Sequence, residues 1–237
     1  MSDQAVPAEF RVRQRQARRR RVRRVLVVVV AIALIVAAVW LIVFSPVFSV
    51  CRVQVDGASQ VSADDVVVAA AVPMGTPLVR VDTDAVAARV IAALPGVESV
   101  SVTRHWPGTL VIRITERVAV YQVKVGELFA LVSADGTIFD TSSARRSVLV
   151  ASVDVSNQDL LRDVATVVLA IPPSLGPSVT SVSAGTRDSI TLHLNGGRTV
   201  VWGGADQSDL KAQVVVPLLN VPGKVYDVSS PAHPAVR

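Results

Sequence analysis

From Val25 to Phe44 the chain carries twenty apolar residues without a break, and beyond Pro46 the apolar positions become periodic, at every second residue or at every third or fourth. The unbroken run predicts a helix. At ~1.5 Å per residue, twenty residues reach across the ~30 Å of a bilayer's hydrocarbon. Fifteen of them are Val, Leu, Ile or Phe, each worth roughly −0.3 to −0.6 kcal/mol near the centre of a membrane helix. Trp40 and Phe44 fall in the last turn, where an interfacial ring is comfortable, and Ser45-Pro46 ends the helix because the residue before a proline is pushed out of αR. A cleaved signal peptide would carry a shorter core, ~7 to 15 residues, and a small-x-small site after it. The run reads as a single transmembrane helix.

After it the pattern is strand, helix, helix, strand, strand. Val50 to Val55 alternates and stops at Asp56-Gly57. Ser62 has the spacing of an N-cap whose hydroxyl accepts from the first turn, and Val66 to Val72 continues a short helix that Pro73 stops. Asp82 caps a second helix with Val86, Val90 and Leu94 along one face, closed by Pro95-Gly96. Val97 to Arg104 and Leu110 to Glu116 alternate as two strands. Trp106-Pro107-Gly108-Thr109 turns between them, with proline fixing φ at i+1 and glycine free to take φ > 0 at i+2. Helices this short need a sheet to pack on.

A second module follows. Phe129 to Phe139 reads as a hairpin with Asp135-Gly136 at its turn. Ser156 to Ile171 reads as a helix with Leu160, Val164, Val167, Val168 and Ile171 on one side, stopped by Pro172-Pro173. Strands resume at 189–194 and 199–202 around Asn195-Gly196-Gly197, a last helix covers about 207–219, and Val225-Tyr226-Asp227-Val228-Ser229 forms a short strand closed by Pro231.

Charge sets the topology. The formal net charge is +5, yet residues 1–24 hold nine Arg against Asp3 and Glu9, while the part beyond residue 44 is slightly acidic, with 15 basic and 17 acidic residues. The Arg-rich flank holds the N-terminus in the cytoplasm and places residues 45–237 outside, and the helix and the Arg run are expected to contact the lipid bilayer. The folded part lacks the basic surface and stacking aromatics that nucleic acid requires. Cys51 is the single cysteine, so no disulfide forms within the chain, and a buried thiol is expected.

Several phrases resemble a known family. The β-α-α-β-β order, Leu94-Pro95-Gly96-Val97-Glu98-Ser99-Val100, Arg104-His105-Trp106-Pro107-Gly108-Thr109-Leu110 and Ile114-Thr115-Glu116-Arg117 are similar to the POTRA domain of the FtsQ/DivIB bacterial division proteins, and Val132 to Phe139 and Val225 to Ser230 resemble phrases of their β domain. The resemblance implies an α+β chain: a basic tail at 1–24, a transmembrane helix at 25–44, a POTRA domain at 48–117, an antiparallel β domain with helices at 118–231 and a short tail at 232–237. It also implies a type II protein of the bacterial plasma membrane at the midcell division site, a divisome scaffold that recruits division proteins for septation. By the same resemblance, FtsB- or DivIC-like and FtsL-like partners are expected to dock at the last strand and its neighbours. Val225, Tyr226, Asp227, Val228 and Ser229 are the expected contacts, with Trp202 and Lys211 flanking them. An unclosed sheet edge is suited to this because a partner strand completes its unpaired N–H and C=O groups, and Tyr226 is large and stiff enough to anchor it.

No catalytic constellation accompanies these features. His105, His193 and His233 are isolated, without a metal-ligand spacing; Asp64-Asp65 and Asp82/Asp84 fall in first turns of helices, where they complement the dipole; and no glycine pair sits in a phosphate loop. No cofactor, metal or small-molecule substrate is expected. A POTRA chaperone of a translocation pathway would repeat the module or continue into a barrel, and a membrane-anchored wall enzyme would need a nucleophile and base in mutual reach.

Overall fold

The fold is taken from a computed structural model, which describes residues 23–37, 40 and 46–237. Helix α1 covers 23–37, and so includes 25–37 of the apolar run. Residues 1–22 of the basic tail expected at 1–24 and, Trp40 apart, the remainder of the run at 38–44 lie outside the described residues. Among the described residues no helix is long and apolar enough to cross a membrane.

The first module is a three-stranded sheet, β1 (Arg52–Asp56), β2 (Val97–His105) and β3 (Thr109–Glu116), in the order β1-β3-β2, with α2 (Ala63–Ala70) and α3 (Thr83–Ala93) against it. β2 and β3 form the antiparallel hairpin, and β1 lies parallel to β3. Alternation along β3 turns Leu110, Ile112 and Ile114 into one core with Val66, Ala70, Val86 and Val90, each buried aliphatic side chain worth about 1.5 to 3 kcal/mol. Asp82 caps α3 as expected, accepting from the N–H groups of Asp84 and Ala85. Ser62 stands at the N-cap of α2 without a side-chain hydrogen bond. The loop before that helix is instead tied to the Glu116 carboxylate, which reaches over from the end of β3.

Two further expectations are corrected at the hairpin turn. Gly108 does not adopt positive φ; what it supplies is room, since a Cβ there would lie 2.5 Å from Cys51 Sγ and 2.8 Å from Ser49 O. Cys51 is exposed rather than buried, its thiol donating to Gly108 O at 3.2 Å.

The second module is a nine-stranded sheet built from β4 (Tyr121–Val125), β5 (Leu128–Val132), β6 (Ile138–Ser142), β7 (Leu149–Val153), β8 (Val179–Ala184), β9 (Ile190–Leu194), β10 (Thr199–Gly203), β11 (Val225–Asp227) and β12 (Ala235–Val236), in the order β12-β11-β10-β9-β8-β7-β4-β5-β6. The sheet is mixed, not antiparallel: β4 pairs with β7, β7 with β8 and β10 with β11 in parallel. The cause is connectivity. α4 (Gln158–Ala170) joins β7 to β8 and α5 (Ser208–Leu218) joins β10 to β11, and a helix between neighbouring strands returns the chain to the end it started from. β10 runs in the direction of β7, because two antiparallel steps separate it from β8. Both crossovers move the same way along the sheet, so the right-handed rule places both helices on one face. That face holds the core, with Leu160, Val164 and Val167 of α4 and Val215 of α5 packed on Tyr121, Ile190, Leu192, Val200 and Trp202. Tyr121 donates its hydroxyl to Leu161 O at 2.9 Å, and burial pushes its phenol up. Position 232–237, expected as a tail, carries β12.

Candidate partner-binding end of the sheet

The expected contact residues converge on the β10-β11-β12 end, but inside it. β11 is paired on both sides: Thr199, Val200 and Val201 lie opposite Val225, Tyr226 and Asp227 on one, and β12 covers Tyr226 and Asp227 on the other. The last strand is therefore not the edge that the resemblance implied, because the chain turns back through 228–234 and adds one more strand. Tyr226 is 2 % exposed, and its hydroxyl donates to Val221 O at 3.0 Å and Gly223 O at 2.9 Å, which fixes the loop between α5 and β11. Val228 is fully buried with its N–H on Val201 O. Asp227 accepts from the Ser229 N–H at 3.0 Å and hydroxyl at 2.6 Å, closing the turn that leads toward β12. Val225 is half-buried and exchanges both backbone hydrogen bonds with Arg237.

Trp202 and Lys211 are core fasteners rather than flanks of an edge. Trp202 is wholly enclosed, its indole N–H donating to Ser208 Oγ at 3.1 Å, and Ser208 in turn donates to Ala205 O at 2.7 Å. Lys211, 1 % exposed, donates Nζ to Gly204 O at 2.9 Å. Together they pin the first turn of α5 to the chain leaving β10.

The open backbone edge at this end of the sheet is the outer side of β12. Since Val225 and Arg237 form a hydrogen-bonded pair, the antiparallel alternation leaves the Val236 N–H and C=O pointing away from β11. Pro234 on the same side offers only a carbonyl. The 221–224 loop lies alongside, with Val221 47 % exposed and Gly223 so close that a Cβ would meet Val236 Cγ1 at 2.3 Å.

A second constellation joins the modules, and its chemistry was not anticipated although its residues were noticed. Glu116 accepts backbone hydrogen bonds from Ser59 at 2.7 Å, Gln60 at 2.8 Å and Val61 at 2.8 Å. Arg117, next in sequence, donates to Pro95 O at 3.0 Å and to Asp135 Oδ2 at 2.7 Å, while Asp135 Oδ1 accepts from Ser133 Oγ at 2.6 Å. The glycine after Asp135 has φ of 78°, and a Cβ there would lie 2.6 Å from the Arg162 nitrogen, so the β5–β6 turn sits against α4 with no space for a side chain. Burial would raise the Asp135 carboxyl, but hydrogen bonds from Ser133, Arg117 and Thr137 outweigh it and hold the group well below the usual carboxylate range. The Ser59 N–H, helped by Val61 and Gln60 against desolvation, holds Glu116 low as well. Both groups then bind protons more readily in the unfolded chain, so their stabilisation is complete above ~pH 5 and is lost as the pH falls through and below the ordinary carboxylate range near 4. The expected result is a urea unfolding midpoint that drops between pH 7 and pH 3, and drops less in Asp135→Asn. Because Asp135 is half exposed, solvent screening keeps the difference modest.

Comparison with known proteins bears on what this architecture is for. A family model described as "POTRA domain, FtsQ-type" matches residues 48–117, and one described as "Cell division protein FtsQ/DivIB, C-terminal" matches 119–228. The chain is 36% identical over 214 residues to a cell division protein FtsQ of Streptomyces venezuelae, covering 85% of this chain and 79% of that protein. The chain belongs to the FtsQ/DivIB family. A Mycolicibacterium smegmatis FtsQ is 40% identical over 206 residues, 86% of this chain, and the chain spans 62% of that protein's length. A Streptomyces coelicolor FtsQ is 34% identical over 213 residues, covering 83% of this chain and 81% of that protein. The boundary between the two family matches falls beside Arg117, at the joint described above, and the second match ends at Val228, so β12 lies beyond it. In this FtsQ-type chain the histidines stay apart, with His193 Nε2 2.8 Å from Ser183 Oγ on the sheet face away from the helices. Among the described residues no group of His, Cys, Asp and Glu is placed to hold a metal ion.

Proposed function

We propose that this FtsQ-family chain is a non-enzymatic divisome scaffold, anchored by one membrane helix at 25–44 with residues 1–24 in the cytoplasm, the POTRA module at 48–117 and the β module at 118–231 on the outer side. Its work is recruitment at the division site. The observation that carries the reading is the outward-facing backbone of β12 at the end of a nine-stranded sheet, a short edge to which an FtsB- or DivIC-like segment adds a strand, with FtsL-like partners held nearby. Exposed Val221 in the adjoining loop supplies apolar contact beside it. The buried residues Tyr226, Trp202, Val228 and Lys211 act beneath this surface by keeping β11 and α5 in place, and tethering in the membrane plane raises the effective concentration of weak partners.

The discriminating substitution is Val236→Pro. Its N–H faces away from β11, so proline removes the donor a partner strand would use while sparing the hydrogen bonds that hold β12. In a pull-down with an FtsB- or DivIC-like partner the variant is expected to bind at least tenfold more weakly, the equivalent of about 1.4 kcal/mol, with a melting temperature lowered only slightly by the loss of Val236 packing. Wild-type binding by the variant refutes strand addition at this edge, and a fluorescent fusion that stays uniform around dividing cells refutes the scaffold role at midcell.

A further inference from the structure

The end of the POTRA sheet at which the chain enters has a surface unlike the rest of the module. Because β1 and β3 are parallel, with Arg52 opposite Thr109, the segment leading into β1 and the turn between β2 and β3 meet at that end. The Cys51 N–H donates to Gly108 O at 2.9 Å, and the rings of Phe48 and Trp106 stand edge to face with centroids 5.6 Å apart. The 73–80 loop joins the same segment, with Val50 N–H on Thr76 O and Gly75 N–H on Val50 O, both at 2.8 Å. This end shows apolar side chains to the outside: Val47 is 65 % exposed, Met74 60 %, Trp106 52 % and Val79 48 %. Arg52, Arg80 and His105 are exposed around them.

We propose that this end is an interfacial foot, seated in the headgroup layer of the bilayer that residues 25–44 span; the inference rests on the membrane-anchored reading above. The occupant follows from chain length. Val47 is three residues beyond Phe44, and three residues extend at most ~11 Å, comparable with the depth of the polar layer on each side of the hydrocarbon, about 5 to 8 Å. Nothing attached so closely to the hydrocarbon avoids the headgroups. Trp106 suits that layer, with an apolar body and an N–H that hydrogen-bonds to water or ester oxygens. The guanidinium groups of Arg52 and Arg80 suit it too, since each cation near an anionic leaflet gains about 1 kcal/mol. The ring contact with Phe48 holds Trp106 in orientation. The foot fixes the tilt of the POTRA module, and hence of the joint at Arg117, relative to the membrane plane.

The test uses the full-length chain in vesicles of phosphatidylcholine and phosphatidylglycerol. Trp40→Phe leaves Trp106 and the enclosed Trp202 as the fluorophores. Phosphatidylcholine brominated near the headgroup end of its acyl chains is expected to quench this variant, acrylamide in the water to quench it weakly, and the lipid quenching to vanish in Trp40→Phe/Trp106→Phe. Trp106 quenched by acrylamide and untouched by bromolipid, in a protein that floats with the vesicles, overturns the foot and leaves the anchor standing; it is also the result expected if a protein partner covers this end in cells. A wild-type chain that fails to float, with Trp40 in Trp106→Phe indifferent to deeply brominated lipid, overturns the anchor and the foot with it.

Discussion

Trp202→Ala is expected to unfold the β module and leave the POTRA module folded. The indole is the largest wholly enclosed side chain of the molecule and touches both the sheet and α5 through its N–H bond to Ser208 Oγ. Truncating a buried tryptophan costs about 3 to 5 kcal/mol, a large share of the roughly 5 to 15 kcal/mol by which a domain of this size is stable. The two modules have separate cores, one around Ile112 and Val90 and the other around Leu192 and Val164, so the damage should stop at the joint. Hydrogen exchange is the suitable measurement. Amides of β8 to β11 are expected to lose protection while those of β2 and β3 keep theirs, and a uniform loss over both modules would show that they fold as one unit.

Tyr226→Ala is expected to cost nearly as much, about 3 kcal/mol for the lost ring, and to weaken partner capture indirectly, in step with that loss. The phenol holds the 221–223 carbonyls, so its removal loosens the loop against which Val236 packs and frees β12. Tyr226→Phe keeps the ring and forfeits only the hydroxyl's hydrogen bond, shared between the two carbonyls and worth about 1 kcal/mol in all. If Tyr226 were a surface anchor, both variants would weaken binding without shifting the melting temperature. With the ring enclosed, binding is expected to fall only as far as stability falls. Paired thermal melts and pull-downs of the three proteins separate the two behaviours.

The strands and helices of the POTRA module were legible because each is amphipathic on its own period. Val100 and Val102 alternate with Ser99, Ser101 and Thr103, and Val86 and Val90 recur at four. The β module was harder to read. β8 is Val-Thr-Ser-Val-Ser-Ala, whose Ser and Thr positions line the face without helices and dilute the apolar signal. β7 lies between two parallel neighbours and has no turn residues to mark it as half of a hairpin. β4 depends on Gln122, a buried amide that gives two hydrogen bonds to Arg146 O and Val148 O and takes one from the Arg146 N–H, a long-range tie that periodicity does not register. The same limit explains the misplaced edge. Ala235-Val236 is too short and too close to Pro234 to read as a strand, and only its pairing with Tyr226 and Asp227 makes it one. The Glu116-Arg117 pair was seen as a phrase, but its meaning lies in partners about 20 and 56 residues away along the chain.

The parallel pairing of β1 with β3 has a mechanical consequence. A pull on the chain preceding the module acts where it enters β1, and a pull from the β module acts where it leaves β3, at the opposite end of an adjacent strand. Tension between these two points drags the strands past one another along their length. The backbone bonds from Arg52/Thr109 to Asp56/Arg113 then share the load together, whereas an antiparallel pair gripped at one end would give way rung by rung. If the chain is anchored and partnered as proposed above, a moving septum would load the module in the direction in which this clamp resists.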